Sequence, residues 1–187
     1  KIQSSHLPTI TDSRIQDFLK KSLGPRQAVK LKSANVTLPA SIERGLLPSV
    51  LALLKRTTKT RLNKLDEKGW SLVHYASAHC RADILSALLI AGCNGNQCCQ
   101  TPDQTDTHTL PIHLAAQNGG LDAVCCLLRY GATPTAEDNN GWLPIHYAAF
   151  HNYQVIVGHL VGVAPESIDA VTSDKEGATP LLLAAMN

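Results

Sequence analysis

The sequence predicts an all-α solenoid of stacked helix-turn-helix units, joined by short hairpin-like loops and closed at the N-terminal end by a helical cap. Three observations carry that expectation. First, the stretch Asn139-Asn140-Gly141-Trp142-Leu143-Pro144-Ile145-His146-Tyr147-Ala148-Ala149 is echoed thirty-three positions earlier by Leu110-Pro111-Ile112-His113-Leu114-Ala115-Ala116. Ser71-Leu72-Val73-His74-Tyr75-Ala76 precedes both, and Thr179-Pro180-Leu181-Leu182-Leu183-Ala184-Ala185 follows them. Second, counting from each histidine, an aliphatic residue stands at +11 (Leu85, Val124, Val157) and an aliphatic pair at +14 and +15 (Leu88-Leu89, Leu127-Leu128, Leu160-Val161). Third, a small residue follows at +18 (Gly92, Gly131, Ala164), where a second helix would end in a turn. A fixed period of this length marks units that cannot cover their apolar faces alone and so must stack.

Taken in order, residues 1–32 carry no repeat pattern. One helix is expected over Asp12 to Lys21, capped by Thr11 or Asp12, with Ile15, Phe18 and Leu19 on one face and Gly24-Pro25 as its stop. Its single apolar stripe either covers the end of the solenoid or docks another protein. Residues 33–65 read as a degenerate capping unit. There Thr37-Leu38-Pro39 echoes Thr109-Leu110-Pro111, a short helix is expected from Ser41 to Gly45, and Pro48 suits the first turn of a helix running through Val50, Leu51, Leu53 and Leu54. The basic run Lys55, Arg56, Lys59, Arg61 and Lys64 complements a helix C-terminus or meets an acidic or phosphate partner.

The array itself is expected over 66–187, as units 66–104, 105–137, 138–173 and an incomplete 174–187. Asp66 and Gly69 bracket a turn, and Ser71 is placed to cap a helix starting near Leu72. Ala76, Leu85, Leu88 and Leu89 are the positions expected to bury. The intervals that exceed thirty-three put their extra residues after second helices, around Cys98 to Asp106 and Pro165 to Thr172, where connections tolerate insertion.

These residues resemble the T-P-L-H-x-A signature of the ankyrin-repeat family, whose period is about 33 residues. The resemblance implies that His74, His113 and His146 hydrogen-bond the loops between repeats and neither ligate metal nor catalyse. Leu110 and Leu143 replace the family's threonine, so only Ser71 and Thr179 are expected to keep a local hydroxyl bond. Family geometry further implies a concave partner-binding face. Its loop tips are Glu67, Lys68 and Trp70; Asp106, Thr107 and Thr109; Asn139, Asn140 and Trp142; and Lys175, Glu176 and Ala178. Its inner-helix positions are Ala78 and His79, Gln117 and Asn118, and Phe150 and His151. Trp70 and Trp142 are the only two tryptophans; each is either a binding hot spot or a ring packed on the adjacent loop. Asn96 resembles the inter-repeat asparagines on which ankyrin units can be hydroxylated, although Asn94 stands where an acidic residue is preferred.

Composition narrows the function. A net charge of +2 and a pI near 8.3, with Lys and Arg spread along the chain, are too mild to argue for nucleic acid or an anionic membrane, and neither is expected as a partner. No apolar run approaches the roughly 18 residues a membrane helix needs, and no signal-peptide pattern opens the chain, so an intracellular protein (cytoplasm or nucleus) is expected. The cysteines are expected as reduced thiols. Cys93, Cys98 and Cys99 with His108 crowd one insertion but lack paired C-x2-C spacing, so reactive or merely exposed thiols in a long polar loop are expected there, not zinc. No G-x-S-x-G, phosphate loop or H-E-x-x-H is present. The expected function is a protein-interaction module or scaffold with no catalytic residue, cofactor, metal or small-molecule substrate. The alternative is a regulatory or targeting region of a larger enzyme. Because the chain opens without Met and stops at Asn187 within a helix, it is expected to be part of a longer protein with further repeats downstream, and Leu181, Leu182, Leu183 and Met186 are expected to lie uncovered.

Overall fold

The computed structural model describes residues 37–100, 108–174 and 177–187. The helix expected over Asp12 to Lys21 and the loop positions Asp106, Thr107, Lys175 and Glu176 lie outside the described residues. Among those described, every element is helical: α1 Leu38–Glu43, α2 Leu47–Leu54, α3 Lys59–Leu62, α4 Leu72–Ala78, α5 Ala82–Ile90, α6 Pro111–Gln117, α7 Leu121–Arg129, α8 Pro144–Phe150, α9 Gln154–Val163, a 3-10 helix over Pro165–Asp169, and α10 Pro180–Met186. None is long and apolar enough to cross a membrane.

Helices α1, α4, α6, α8 and α10 pack side by side in one layer, while α2, α5, α7 and α9 form a second layer behind them. This is the all-α repeat solenoid that the period predicts. Its core runs continuously between the layers through fully buried Ile84, Leu85, Leu88, Ile112, Val124, Leu127, Ile145, Ile156 and Leu160. Each such side chain contributes roughly 1.5–3 kcal/mol by leaving water. Ala76, Ala115 and Ala148, also fully buried, let neighbouring helices of the front layer approach closely.

Helix starts follow from local chemistry. The Ser71 hydroxyl accepts from the His74 backbone N–H at 3.4 Å, and the Thr179 hydroxyl accepts from that of Leu182 at 3.3 Å. At α1 the Thr37 hydroxyl accepts from Ala40 N–H at 3.5 Å, so that helix starts at Leu38, three residues earlier than expected. Thr37 thus occupies the capping position held elsewhere by Leu110 and Leu143, which shifts the first unit by one residue from its sequence echo and puts Ala40 where later units have histidine. The turn between paired helices needs a left-handed residue. Cys80, Gly119 and Asn152 supply it at φ 52°, 74° and 58°.

Two expectations fail for packing reasons. Cys93 and Cys99 are buried and Cys98 is half-buried, so the insertion does not expose its thiols. Its first residues are drawn inward because Cys99 N–H donates to Thr109 O at 3.1 Å and Gln100 N–H to Gly69 O at 3.0 Å. At the far end Leu181, Leu182 and Met186 are exposed, but Leu183 is only 3% exposed, because α10 packs along α8 and the helical period turns that one leucine inward.

Candidate partner-binding surface

Each loop tip that carries a tryptophan is tied by one carboxylate. Asp138 Oδ1 accepts the backbone N–H groups of Asn140 and Trp142 at 2.9 and 2.8 Å, and Oδ2 accepts the Tyr147 hydroxyl at 2.7 Å. Gly141, at φ +71°, lets the loop reverse; a Cβ there would lie 2.5 Å from the Ser173 backbone nitrogen of the next loop. That close approach is used, since Ser173 N–H donates to Asn140 O at 2.9 Å.

Trp142 is therefore held in place, half-buried, with its indole N–H donating to Asp174 Oδ2 at 2.9 Å. Its ring lies 5.0 Å from Tyr147 and 5.9 Å, edge-on, from Phe150. The run continues from Phe150 to His151 at 5.2 Å and from His151 to Tyr153 at 6.0 Å in a stacked pair. Phe150 and Tyr153 are each 36% exposed, so rings cross from the loop tip over the end of α8 to the start of α9 with open faces.

The Trp70 loop repeats the plan. Asp66 Oδ1 accepts from Lys68 and Trp70 N–H at 3.0 and 2.8 Å, and Oδ2 accepts the Tyr75 hydroxyl at 2.6 Å. Trp70 packs 5.2 Å from Tyr75. Burial alone would raise the Asp66 pKa, but the Tyr75 hydroxyl and the two backbone donors outweigh it and hold the carboxyl below its usual value. Burial and the same carboxylate push Tyr75 up to about 12, and burial with Asp138 pushes Tyr147 upward too. In the intervening unit Thr109 and Leu114 replace tryptophan and tyrosine, and both are buried.

The signature histidines lie beneath these loops, fully buried. Nδ1 accepts a backbone N–H from Ser71, Leu110 or Leu143 at 3.1, 3.0 and 3.0 Å, which leaves the proton on Nε2. Nε2–H then donates to Thr109 O, Ala136 O or Ala170 O at 3.2, 2.8 and 3.0 Å, each in the loop leading to the next unit. As expected, the hydroxyl bond is kept at Ser71 and Thr179 and is absent at Leu110 and Leu143; the N–H closing the loop onto the imidazole is a main-chain one, so the leucines retain it and a hydroxyl only adds to it. Burial holds His113 and His146 below the ordinary imidazole pKa.

Glu67, Lys68, Asn139 and Asn140 are exposed on the loop tips, and His79, Asn118 and His151 are exposed at the ends of α4, α6 and α8. Gln117 is half-buried, and Asn118 turns its amide back to Leu114 O at 2.8 Å. The structure joins Trp142, Phe150 and His151 in one contact run. The sequence reading missed Asp138, Tyr147 and Tyr153, although an aspartate four residues before each tryptophan and a tyrosine five after are visible signals. Asn96 is exposed; its amide donates to Gly131 O at 2.8 Å and accepts Thr133 N–H at 3.3 Å, bridging to the next unit. Among the described residues no three His, Cys, Asp or Glu side chains gather to hold a metal ion.

A family model described as ankyrin repeats (3 copies) matches residues 96–169 and again 112–187. The human ankyrin and armadillo repeat-containing protein is 35% identical over 177 residues, covering 94% of this chain and 12% of its own length. The target of rapamycin complex 2 subunit AVO2 of Saccharomyces cerevisiae is 32% identical over 152 residues, covering 81% of the chain and 34% of its own length. A palmitoyltransferase of Pongo abelii is 28% identical over 131 residues, covering 69% and 20%. The chain thus corresponds to a minor part of each of these relatives.

Proposed function

The chain belongs to the ankyrin-repeat family, and from that premise we propose that it is a protein-interaction module whose principal contact surface is the Trp142 loop with the end of α8. The observation that carries this reading is the aromatic run Trp142, Phe150, His151 and Tyr153, open on one face and fixed on the other. Aromatic residues dominate binding energy when a partner excludes water from them, and rings already locked lose little entropy on binding. Glu67, Lys68, Trp70, His79, Gln117, Asn118, Asn139 and Asn140 supply a polar rim along neighbouring units. In this reading residues 33–65 act as the cap and 66–187 as the binding array.

Co-purification with mass spectrometry identifies the partner, and calorimetric titration then tests the surface. Phe150→Ala is expected to weaken binding by about 2 kcal/mol, a hot-spot loss, with the melting temperature unchanged. A folded Phe150→Ala protein that binds equally well would overturn the assignment.

A second reading, as a regulatory or targeting part of a larger enzyme, is favoured by the likeness to a palmitoyltransferase of which the chain covers 20%. Cross-linking of the full-length polypeptide separates the two, since an intramolecular cross-link from residues 140–153 to a catalytic domain supports the second. We also propose Asn96 as a hydroxylation site, because oxygen added at its β-carbon leaves both amide bonds to the next unit in place. A peptide from a eukaryotic host with no added oxygen on Asn96 removes that idea.

A further inference from the structure

Cys125 of α7 meets His159 of α9 on the second helical layer, with Sγ 3.4 Å from Nε2. Both side chains are half-buried, so the pair is supported by its neighbours and still reached by small molecules. We propose that Cys125 is the reactive thiol of this chain, a site of thiol–disulfide exchange with low-molecular-weight disulfides in which His159 accepts the thiol proton.

The other cysteines are placed differently. Cys93 is buried, its thiol pushed up to about 11 by burial. Cys99 is buried as well. Burial also raises the Cys80 thiol, which donates to Asn118 O at 3.5 Å, an interaction that needs the proton on sulfur. Burial raises Cys126 despite the nearby Arg129 guanidinium. Cys98 is half-buried and, among the described residues, has no hydrogen-bond partner. Cys125, by contrast, has an imidazole nitrogen at its sulfur. His159 differs as sharply from the signature histidines, whose two ring nitrogens are both committed to backbone groups. Among the described residues its one hydrogen-bond partner is Cys125, which leaves Nδ1 to exchange a proton with water.

The step balances without any further reagent. The Cys125 proton passes to His159 Nε2, and the thiolate attacks one sulfur of the incoming disulfide. A new bond forms from Cys125 to that sulfur as the original S–S bond breaks. The second half leaves as a thiolate and takes the proton from the imidazolium, so Cys125 is oxidised as the disulfide is reduced.

The test treats the whole chain with limiting dithiobis-nitrobenzoate, a chromogenic aromatic disulfide, and maps the mixed disulfides by peptide mass. Cys125 is expected to react first, at about ten times the rate of the similarly half-buried Cys98, because a base in contact with its sulfur takes the thiol proton as attack begins. His159→Gln keeps a polar side chain but no base, and is expected to slow Cys125 about tenfold while Cys98 is unchanged. Labelling of Cys98 or Cys126 ahead of Cys125 overturns the proposal, and that result needs no variant. An unaltered Cys125 rate in a folded His159→Gln protein overturns it too.

Discussion

The loops that carry Trp70 and Trp142 share an aspartate, a turn glycine, a tryptophan and a tyrosine at matching positions, yet their indoles end in different surroundings. Trp142 spends its N–H on Asp174 of the following loop and leans on Phe150. In the loop after Trp70 the position of Asp174 is held by Thr105, and Ala78 stands where α8 has Phe150. Asp138 is buried, whereas Asp66 is exposed. A local code of four residues thus builds the loop, and the neighbouring unit decides whether the ring becomes a clamp between units. Clamping one edge of Trp142 is what gives Phe150 and Tyr153 a fixed base.

The largest effect that would sharpen this contrast is expected at Gly141. Alanine there meets both a left-handed backbone and the Ser173 nitrogen at 2.5 Å, whereas Gly131, at φ +86°, has nothing within 4 Å of a Cβ. Gly141→Ala is expected to cost about 3 kcal/mol and Gly131→Ala about 1 kcal/mol by urea unfolding; equal costs would mean that contact between loops adds nothing.

Next come the carboxylates. Asp138→Asn is expected to destabilise by about 2 kcal/mol and Asp66→Asn by about 1 kcal/mol, since leaving buried donors without a charged acceptor costs more than leaving exposed ones. Reversal of that order in thermal melts would show that burial is not what separates the loops.

Acid tests the same parts by titration. The folded-state pKa values of His113 and His146 are lowered, so the stability their neutral rings provide is complete above the ordinary value of 6.5 and is lost as pH falls below it. Asp66, also lowered, adds a second loss below its ordinary value of 3.8. Urea midpoints followed from pH 8 downward are therefore expected to fall in two stages, and Asp66→Asn to flatten only the second.

The smallest effect is the most direct comparison of the two indoles. Trp142→Phe keeps a ring and removes the donor to Asp174, for an expected loss of about 1 kcal/mol, while Trp70→Phe is expected within about 0.5 kcal/mol of the parent. Matching losses in equilibrium unfolding would erase the distinction.

The repeat period made much of this fold legible, because apolar residues that return at fixed offsets from a histidine have to face one core. Ser71 as a cap and the turn at Asp66 to Gly69 were legible for the same local reasons. The first unit was not. Without a histidine, Thr37-Leu38-Pro39 fits two registers, and only the hydroxyl bond to Ala40 selects one. The burial of Cys99 depends on its pairing with Thr109 across an insertion, which spacing cannot reveal. Of the candidate surface, Trp142, Phe150 and His151 could be named from their offsets. Tyr153 joins them only because the turn at Asn152 folds the start of α9 back beside His151.

The imidazole bonds bear on how the chain would behave under load. His74, His113 and His146 each fasten a unit to the loop ahead of it through a bond from a fully buried ring, so pulling those units apart must break that bond before water reaches the imidazole nitrogen. With Ala40 in that position the first unit has no such fastening. At its rim it is held to the next by the Arg81 guanidinium on Glu43 O and the Asn63 amide on Gly92 O and Asn94 N–H, exposed positions where water substitutes as each bond stretches, and beneath them by the weak Cys93 thiol donor on Leu62 O at 3.9 Å. Tension along the stack therefore meets its weakest seam between α1 and α4, and the aromatic surface two units further on stays assembled while that seam yields.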